Sequence, residues 1–394
     1  MNNVTVAVVV GFVLFFSIGT GFIVTSDTGE TSNDPVVSVL AAVNYEGSGI
    51  FSDRMLDIND PAGWGGLVFM TPGPGTIQHE MLKSLTFSLG LYFALDRPTK
   101  NNWTVYWTQV APGGMSDVFE KGTVNGGIVW EPWYSAILTK YPEGSIGGAY
   151  SVARSAEIEP GHPCCMVVVK NTFLEGNEEL VIRFLLAYIE AVEWVNKAKA
   201  ASDPLDPDHS LYLMLEKIAW ETALNRGSPS ALPTAADKIT IGQALSGINF
   251  DYNLDGLKEY VATLIVRFAN SGSITKQVND PAAYADKLIN TAVLNDIMGN
   301  LEDLKDKFRG TTGAGTIRLG VLANDLHQVA VRAAWGYDLT GDGMTLFELY
   351  GLNVVQGGDF QQGGGGVMNL FAQNVIDIGV LGLPPTVIRS ANGL

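Results

Sequence analysis

The sequence predicts an α/β protein of two lobes, on three observations. Its 394 residues exceed what one core fills, since single cores stop growing near about 250–300 residues. From Val36 onward short apolar runs alternate with helical patterns, the form taken by mainly parallel sheets flanked by helices. A strand-and-loop segment also recurs: Phe371–Gly382 aligns without a gap to Phe119–Trp130, with Ile376 on Val124, Asp377 on Asn125 and Gly379 on Gly127. Two residues further, Pro384 falls on Pro132. Each copy reads as a helix end, a tight turn and a buried strand running into a proline-bearing loop. That loop lies at the strand's carboxyl end, where open α/β sheets place their ligands, so one copy per lobe sets two such loops face to face.

The elements follow in chain order. Val4 to Val24 is apolar and uncharged, long enough to cross a bilayer as a helix. With no small-residue cleavage site and no cysteine beside it, it is expected to remain as an anchor, a removed signal segment being the alternative. Asp27, Glu30 and Asp34 then form an acidic stalk, so residues 1–34 read as anchor or signal segment plus stalk. Residues 35–60 are assigned to lobe I, beginning with the strand Val36–Val43. Residues 61–160 are assigned to lobe II, where strand Leu67–Met70 turns through Thr71–Thr76 into a helix with Ile77, Met81, Leu82, Leu85 and Leu89 on one face, stopped by Gly90. Residues 161–308 return to lobe I, with a strand at Val167–Val169. A long helix follows, capped at Asn177 and burying Phe184, Leu185, Tyr188, Ile189 and Val192. From about 201 to 308 the pattern is mostly helical, with Asp280 and Pro281 as a cap and first-turn pair. Residues 309–316 form a glycine-rich linker, and Ile317–Leu322 opens a fresh strand, so residues 317–394 stand as a separate part of lobe I.

Composition limits the function. Hydrophobic residues make up 46% and charged residues 16%, which fits packed lobes and not a disordered chain. A net charge of −17 leaves no basic stripe for a phosphate backbone, so nucleic acid is excluded as a partner. The two cysteines, Cys164 and Cys165, are adjacent, too close for an ordinary disulfide. With His162 they lack the spacing and fourth ligand of a zinc site, so they read as buried strand residues, and no metal or cofactor is expected. Asp338–Gly343 begins like a calcium loop, but its twelfth position is Leu349, with Glu348 one residue early, and calcium is rejected.

Seven stretches together carry a family resemblance: Val43–Gly49, Thr71–His79, Ala111–Met115, Trp130–Trp133, Gly161–Cys165, Gly320–Gln328 and Gly379–Pro385. Through them the chain resembles the nitrate, sulfonate, taurine and thiamine-precursor group of ABC substrate-binding proteins, over most of residues 36–200 and 317–394. The resemblance implies a type II periplasmic-binding-protein-like fold, each lobe a sheet flanked by helices. In that family the segments like Asp325–His327 and Gly382–Pro385 come before the one like Glu46–Ser48. Here this opening third sits at the carboxyl end, which reads as a circular permutation, a shortened tandem being the rival. Permutation is preferred because lobe I without residues 317–394 would expose an apolar sheet face.

The candidate ligand contacts follow from these stretches. Gly73, Gly75 and Thr76 precede a helix and aim its free N–H groups at an anion, Thr76 adding a hydroxyl, although a plain strand–helix turn uses the same glycines. Glu46, Gly47 and Ser48 end the first strand. Asp325, His327 and Gln328 occupy the corresponding turn near the carboxyl end, where His327 reads equally as a capping or packing residue. Gly382, Leu383 and Pro384 belong to the second copy of the repeat. Trp130 offers an aromatic wall and Glu131 an acid for an amine on the ligand, with core packing as the alternative for the tryptophan.

The expected function is an extracytoplasmic solute-binding subunit of an ABC importer for sulfonate, taurine, nitrate or a similar small anionic or zwitterionic solute. It hands the solute to permease subunits, acts as a monomer and has no catalytic site. Two alternatives stand beside it: a pyrimidine-binding thiamine-precursor protein, and an enzyme like the thiamine-pyrimidine synthases, which share the fold and consume a histidine and cysteines.

Overall fold

A computed structural model of the protein describes residues 34–224 and 232–394. The expected anchor at residues 4–24 lies outside them, and among the described residues no helix is long and apolar enough to cross a membrane.

Twelve strands form two six-stranded sheets among the described residues. They are β1 (Val37–Glu46), β2 (Ser48–Ser52), β3 (Val68–Thr71), β4 (Tyr92–Leu95), β5 (Thr104–Gln109), β6 (Gly126–Trp130), β7 (Tyr150–Arg154), β8 (Pro163–Lys170), β9 (Ile248–Asn249), β10 (Gly315–Gly320), β11 (Leu352–Gln356) and β12 (Ile378–Gly382). The first sheet runs β11-β10-β12-β8-β1-β9 and the second β4-β5-β3-β6-β2-β7. In each, an antiparallel strand, β8 or β2, lies between parallel neighbours on one side and a further antiparallel partner on the other. The α/β fold of two helix-flanked sheets expected from the sequence is the one observed.

The internal repeat holds at the level of hydrogen bonds. β6 and β12 take the same place in their sheets, β6 between β3 and the antiparallel β2, β12 between β10 and the antiparallel β8. Asn125 donates its N–H to Val68 O at 2.8 Å and accepts the Val68 N–H on Oδ1 at 3.0 Å. Asp377 does the same with Arg318, at 2.8 Å each way. The paired side chain closes both strand entries without leaving a buried backbone group unsatisfied. Both strands then run into helices, Trp133–Lys140 and Leu383–Ala391, with Pro132 and Pro384 at their starts.

Residues 315–394 supply β10, β11 and β12 to the same sheet as β1 and β8, so the carboxyl-terminal part completes lobe I. The lobe boundary differs from the expected one. β2, placed by the sequence reading in lobe I with the rest of 35–60, pairs with β6 and β7 in the second sheet, and the chain crosses at Gly47. The reason is local: Glu46 and Gly47 both take left-handed backbone conformations, which break one continuous run of strand residues into two strands of different sheets. A second crossing joins β7 to β8 through residues 155–162.

Packing follows the pleat. Along β3, Phe69 joins a large core shared with lobe I, while Val68 and Met70 point to a smaller core with Phe51, Tyr106, Phe119 and Tyr134. β8 is covered on both faces, hence its unbroken run of buried residues from Pro163 to Val169. The long helix is Glu178–Ala200, and Phe184, Leu185, Tyr188, Ile189 and Val192 are all buried on it. The Asn177 side chain does not cap this helix, donating instead to Phe173 O. Residues 209–224 and 232–308 are mostly helical. Of these helices Ala235–Ser246 packs both on lobe I and against Trp133–Lys140 of lobe II. Asp338 accepts the N–H groups of Thr340, Gly341 and Gly343, turning its loop on itself.

Candidate functional site

A cavity opens between the lobes, lined from lobe II by Thr76, Ile77, Gln78 and Trp130. Lobe I contributes Cys164, Cys165, Asp325 and His327, with Gly364, Gly382, Pro384 and Pro385 on the adjoining wall. The two repeat loops therefore meet across it, as the echo implied.

The Thr71–Thr76 turn is built from backbone freedom. Gly73 and Gly75 have φ of +116° and +81°, which L side chains rarely adopt. A Cβ on Gly75 would stand 3.1 Å from Ile388 Cδ1 in the other lobe, so the missing side chain also lets the lobes approach. The Thr76 hydroxyl is committed locally: it caps the helix Ile77–Ser88 by accepting the His79 N–H and donates to Gly73 O at 2.7 Å. What the turn offers the cavity is the N–H groups of Ile77 and Gln78, unbonded in the first helical turn, with the positive helix end behind them.

On the same wall, the Trp130 indole Nε1 is buried with no hydrogen-bond partner. Glu131 does not serve the cavity. It is fully buried, its Oε1 accepts from Arg154 Nη1 and from the Ser135 hydroxyl, and its Oε2 accepts the Ser135 N–H. The expected acidic contact for a ligand amine is thus a strut of the lobe, since a buried carboxylate is retained only where it is paired.

Lobe I supplies a polar knot. Asp325 accepts the His327 N–H at 3.0 Å as cap of the short turn Leu326–Gln328. His327 is 1% exposed, and its Nε2 donates to Gly47 O at 3.0 Å. Nδ1 then faces Cys164 Sγ at 3.6 Å, Cys165 Sγ at 4.0 Å and Asp325 Oδ1 at 3.3 Å. Burial opposes the imidazolium, but the Cys164 thiolate and the Asp325 carboxylate outweigh it and raise the His327 pKa to about 9. Asp325 is pushed up by burial to about 6 against the pull of His327. A hydrogen bond from Cys165 lowers the Cys164 pKa well below the usual thiol range despite burial, and His327 adds to it. That same bond, together with burial, raises Cys165. His162 is also buried, with Nδ1 bonded to Glu159 O and Nε2 without a partner.

Adjacent strand residues ordinarily face opposite sides of a sheet. Here Tyr45 pairs with Pro163 and Asn44 with Cys165, so Cys164 is the extra residue of a bulge. The bulge re-aims its side chain and brings both thiols to His327. The group is not a nucleophile–base–acid relay. Such a relay uses one histidine nitrogen for the nucleophile and the other for the carboxylate, whereas both thiols and Asp325 crowd Nδ1.

The remaining expected contacts divide. Gly382 and Pro384 line the cavity, while Leu383 is fully buried behind it. Gln328 is spent on Leu322 N–H and Val380 O, and Ser48 on Gln78 Nε2 and Ser155 Oγ, so both brace the walls. Glu46 accepts the Gly161 N–H across the two crossings. Missed from the sequence were Ile77, Gln78, Cys164, Cys165 and Gly364. The resemblance over Gly161–Cys165 was the one signal that pointed at the cysteines.

Residues 15–204 match the model of the NMT1-like family. No curated protein matches the chain. Among solved structures, similar ones include the periplasmic nitrate-binding protein NrtA from Synechocystis PCC 6803, at 15% identity, covering 69% of this chain and 70% of that one, with a TM-score of 0.44. Another is the ligand-binding component of an ABC-type import system from Staphylococcus aureus, at 15% identity, 66% and 74% coverage and a TM-score of 0.42. A third is the periplasmic aliphatic sulphonate binding protein SsuA from Escherichia coli, at 15% identity, 64% and 68% coverage and a TM-score of 0.41.

Proposed function

We propose that this chain, which belongs to the NMT1-like family through residues 15–204, is the extracytoplasmic solute-binding subunit of an ABC importer. It closes its two lobes on a small anion-bearing solute such as a sulfonate, taurine or nitrate and presents it to permease subunits. Residues 4–24 anchor or export it, it works as a monomer, and the family's order of segments is circularly permuted in it.

The observation that carries this reading is the interlobe cavity at the meeting of the two repeat loops. There the first turn of Ile77–Ser88 borders the cavity beside Trp130, whose buried Nε1 has no partner. Donors without acceptors at a positive helix end select an anionic oxygen. The backbone crossings at Gly47 and at residues 155–162 give a hinge about which such a cleft opens.

The test is calorimetry of the full chain with taurine, an aliphatic sulfonate, nitrate and an aminopyrimidine. One site for an anion, weakened by Trp130→Phe, supports the reading. Tight aminopyrimidine binding with no response to any anion replaces it with a pyrimidine carrier, the Trp130 indole then stacking on the ring.

A further inference from the structure

We propose that Cys164, Cys165 and His327 form a binding site for a thiophilic divalent cation of the zinc class, open to the interlobe cavity. Their three donor atoms lie within 4.8 Å of one another, and all three residues are buried.

The spacing fits a cation at their centre. Zinc–sulfur bonds of about 2.3 Å and zinc–nitrogen bonds of about 2.0 Å, at tetrahedral angles, hold sulfur and nitrogen about 3.5 Å apart. The observed separations from His327 Nδ1 are 3.6 Å to Cys164 and 4.0 Å to Cys165. The histidine is oriented as a metal ligand is: its other nitrogen donates to a backbone carbonyl, Gly47 O at 3.0 Å, which fixes the ring and points Nδ1 at the sulfurs. Two thiolates and an imidazole make a donor set that calcium and magnesium do not favour.

The bulge at Cys164 supports the assignment independently. Without it one thiol would face the opposite side of the sheet. Asp325, 3.3 Å from Nδ1 and 3.9 Å from Cys165 Sγ, stands beside the donors to bind the cation or to hold a water on it. A three-donor site bordering a cavity leaves a coordination position free, as in sites that bind an exogenous group.

The cation would also bring positive charge to a cavity whose lining contains no lysine or arginine. That link, in which a solute anion ligates the metal, rests on the solute-binding reading. The cation site itself does not.

The experiment is a titration of the reduced, metal-free full chain with Co²⁺, read by absorption and followed by displacement with Zn²⁺. One Co²⁺ per chain with thiolate-to-metal absorption in the near ultraviolet, abolished in the double variant Cys164→Ser/Cys165→Ser, is expected. Zn²⁺ should bleach the signal. Cys165→Ser alone keeps the test sound if the double variant does not fold: with an unchanged circular dichroism spectrum it should lose about half the thiolate absorption, one sulfur of two. No thiolate absorption in the wild-type chain, or absorption unchanged in Cys165→Ser, overturns the site. Adding the solute anion found by calorimetry should shift the visible cobalt bands. An unshifted spectrum rejects only the metal-to-solute link, and a shift by an anion that calorimetry places elsewhere rejects the solute reading.

Discussion

The carbonyl oxygen of Gly47 lies 3.0 Å from His327 Nε2, tying the crossover between the lobes to the histidine of the cleft. Gly47 has φ of +85°, and a Cβ there would stand 2.5 Å from that nitrogen. Gly47→Ala should therefore lose about 1–2 kcal/mol from backbone strain and displace the ring as well. Urea denaturation reads the first effect, and the loss of the cobalt thiolate spectrum or of solute affinity reads the second. A variant as stable as the parent would show that the left-handed crossover is not under constraint.

His79 sits behind the anion-facing turn, its Nδ1 3.0 Å from the Thr71 hydroxyl and its ring edge against Trp107 and Phe93. Burial, with a smaller push from Lys83, lowers its pKa from 6.5 to about 4. The sign follows: the unfolded chain takes up this proton first, so the contribution of neutral His79 is intact above pH 6.5. It is lost as the pH falls toward 4, at no more than about 1.4 kcal/mol per pH unit. Denaturation midpoints between pH 7 and 4 should fall less steeply in His79→Gln than in the parent. Parallel profiles would place the proton elsewhere.

Trp130→Phe keeps an aromatic wall and removes the unpartnered indole donor. If that donor meets the solute, affinity should drop about 2- to 10-fold, the worth of one neutral hydrogen bond, with thermal stability unchanged or raised. Calorimetry and a melting curve on the same sample check both halves. Unaltered affinity would remove Trp130 from the contact set.

Arg154→Met strips Glu131 of its guanidinium partner and leaves a fully buried carboxylate. A loss of about 3–5 kcal/mol is expected on denaturation, as when one member of a buried pair is removed. Glu131→Gln should cost less in solute affinity than Trp130→Phe, because Glu131 faces Ser135 and Arg154 and not the cavity. The reverse ranking would return Glu131 to the ligand.

The repeat was legible because it is local and written in spacing. Asn125 and Asp377 each close a strand entry with the same two hydrogen bonds, and that duty leaves the residue pattern found by alignment. The boundary at Gly47 was not legible, since two left-handed residues split what the apolar pattern presents as one strand. The meeting of Cys164 with His327 was hidden for another reason. The residues are 163 positions apart, and adjacency in a regular strand argues that the two thiols diverge. Only the bulge, a product of pairing between β1 and β8, reverses that argument. Thr76 and Glu131 show the converse: the right residue types stand near the cleft, but their side chains are used up by capping and by ion pairing.

The central claim, that the two lobes clasp an anion between the helix Ile77–Ser88 and the Gly382–Pro385 loop, is tested most directly by a crystal structure of the chain grown with its tightest-binding anion. The anion should occupy the interlobe cavity within hydrogen-bond distance of the Ile77 or Gln78 N–H and of Trp130 Nε1. Density for the anion on an outer face, with the cavity holding water alone, would contradict the account.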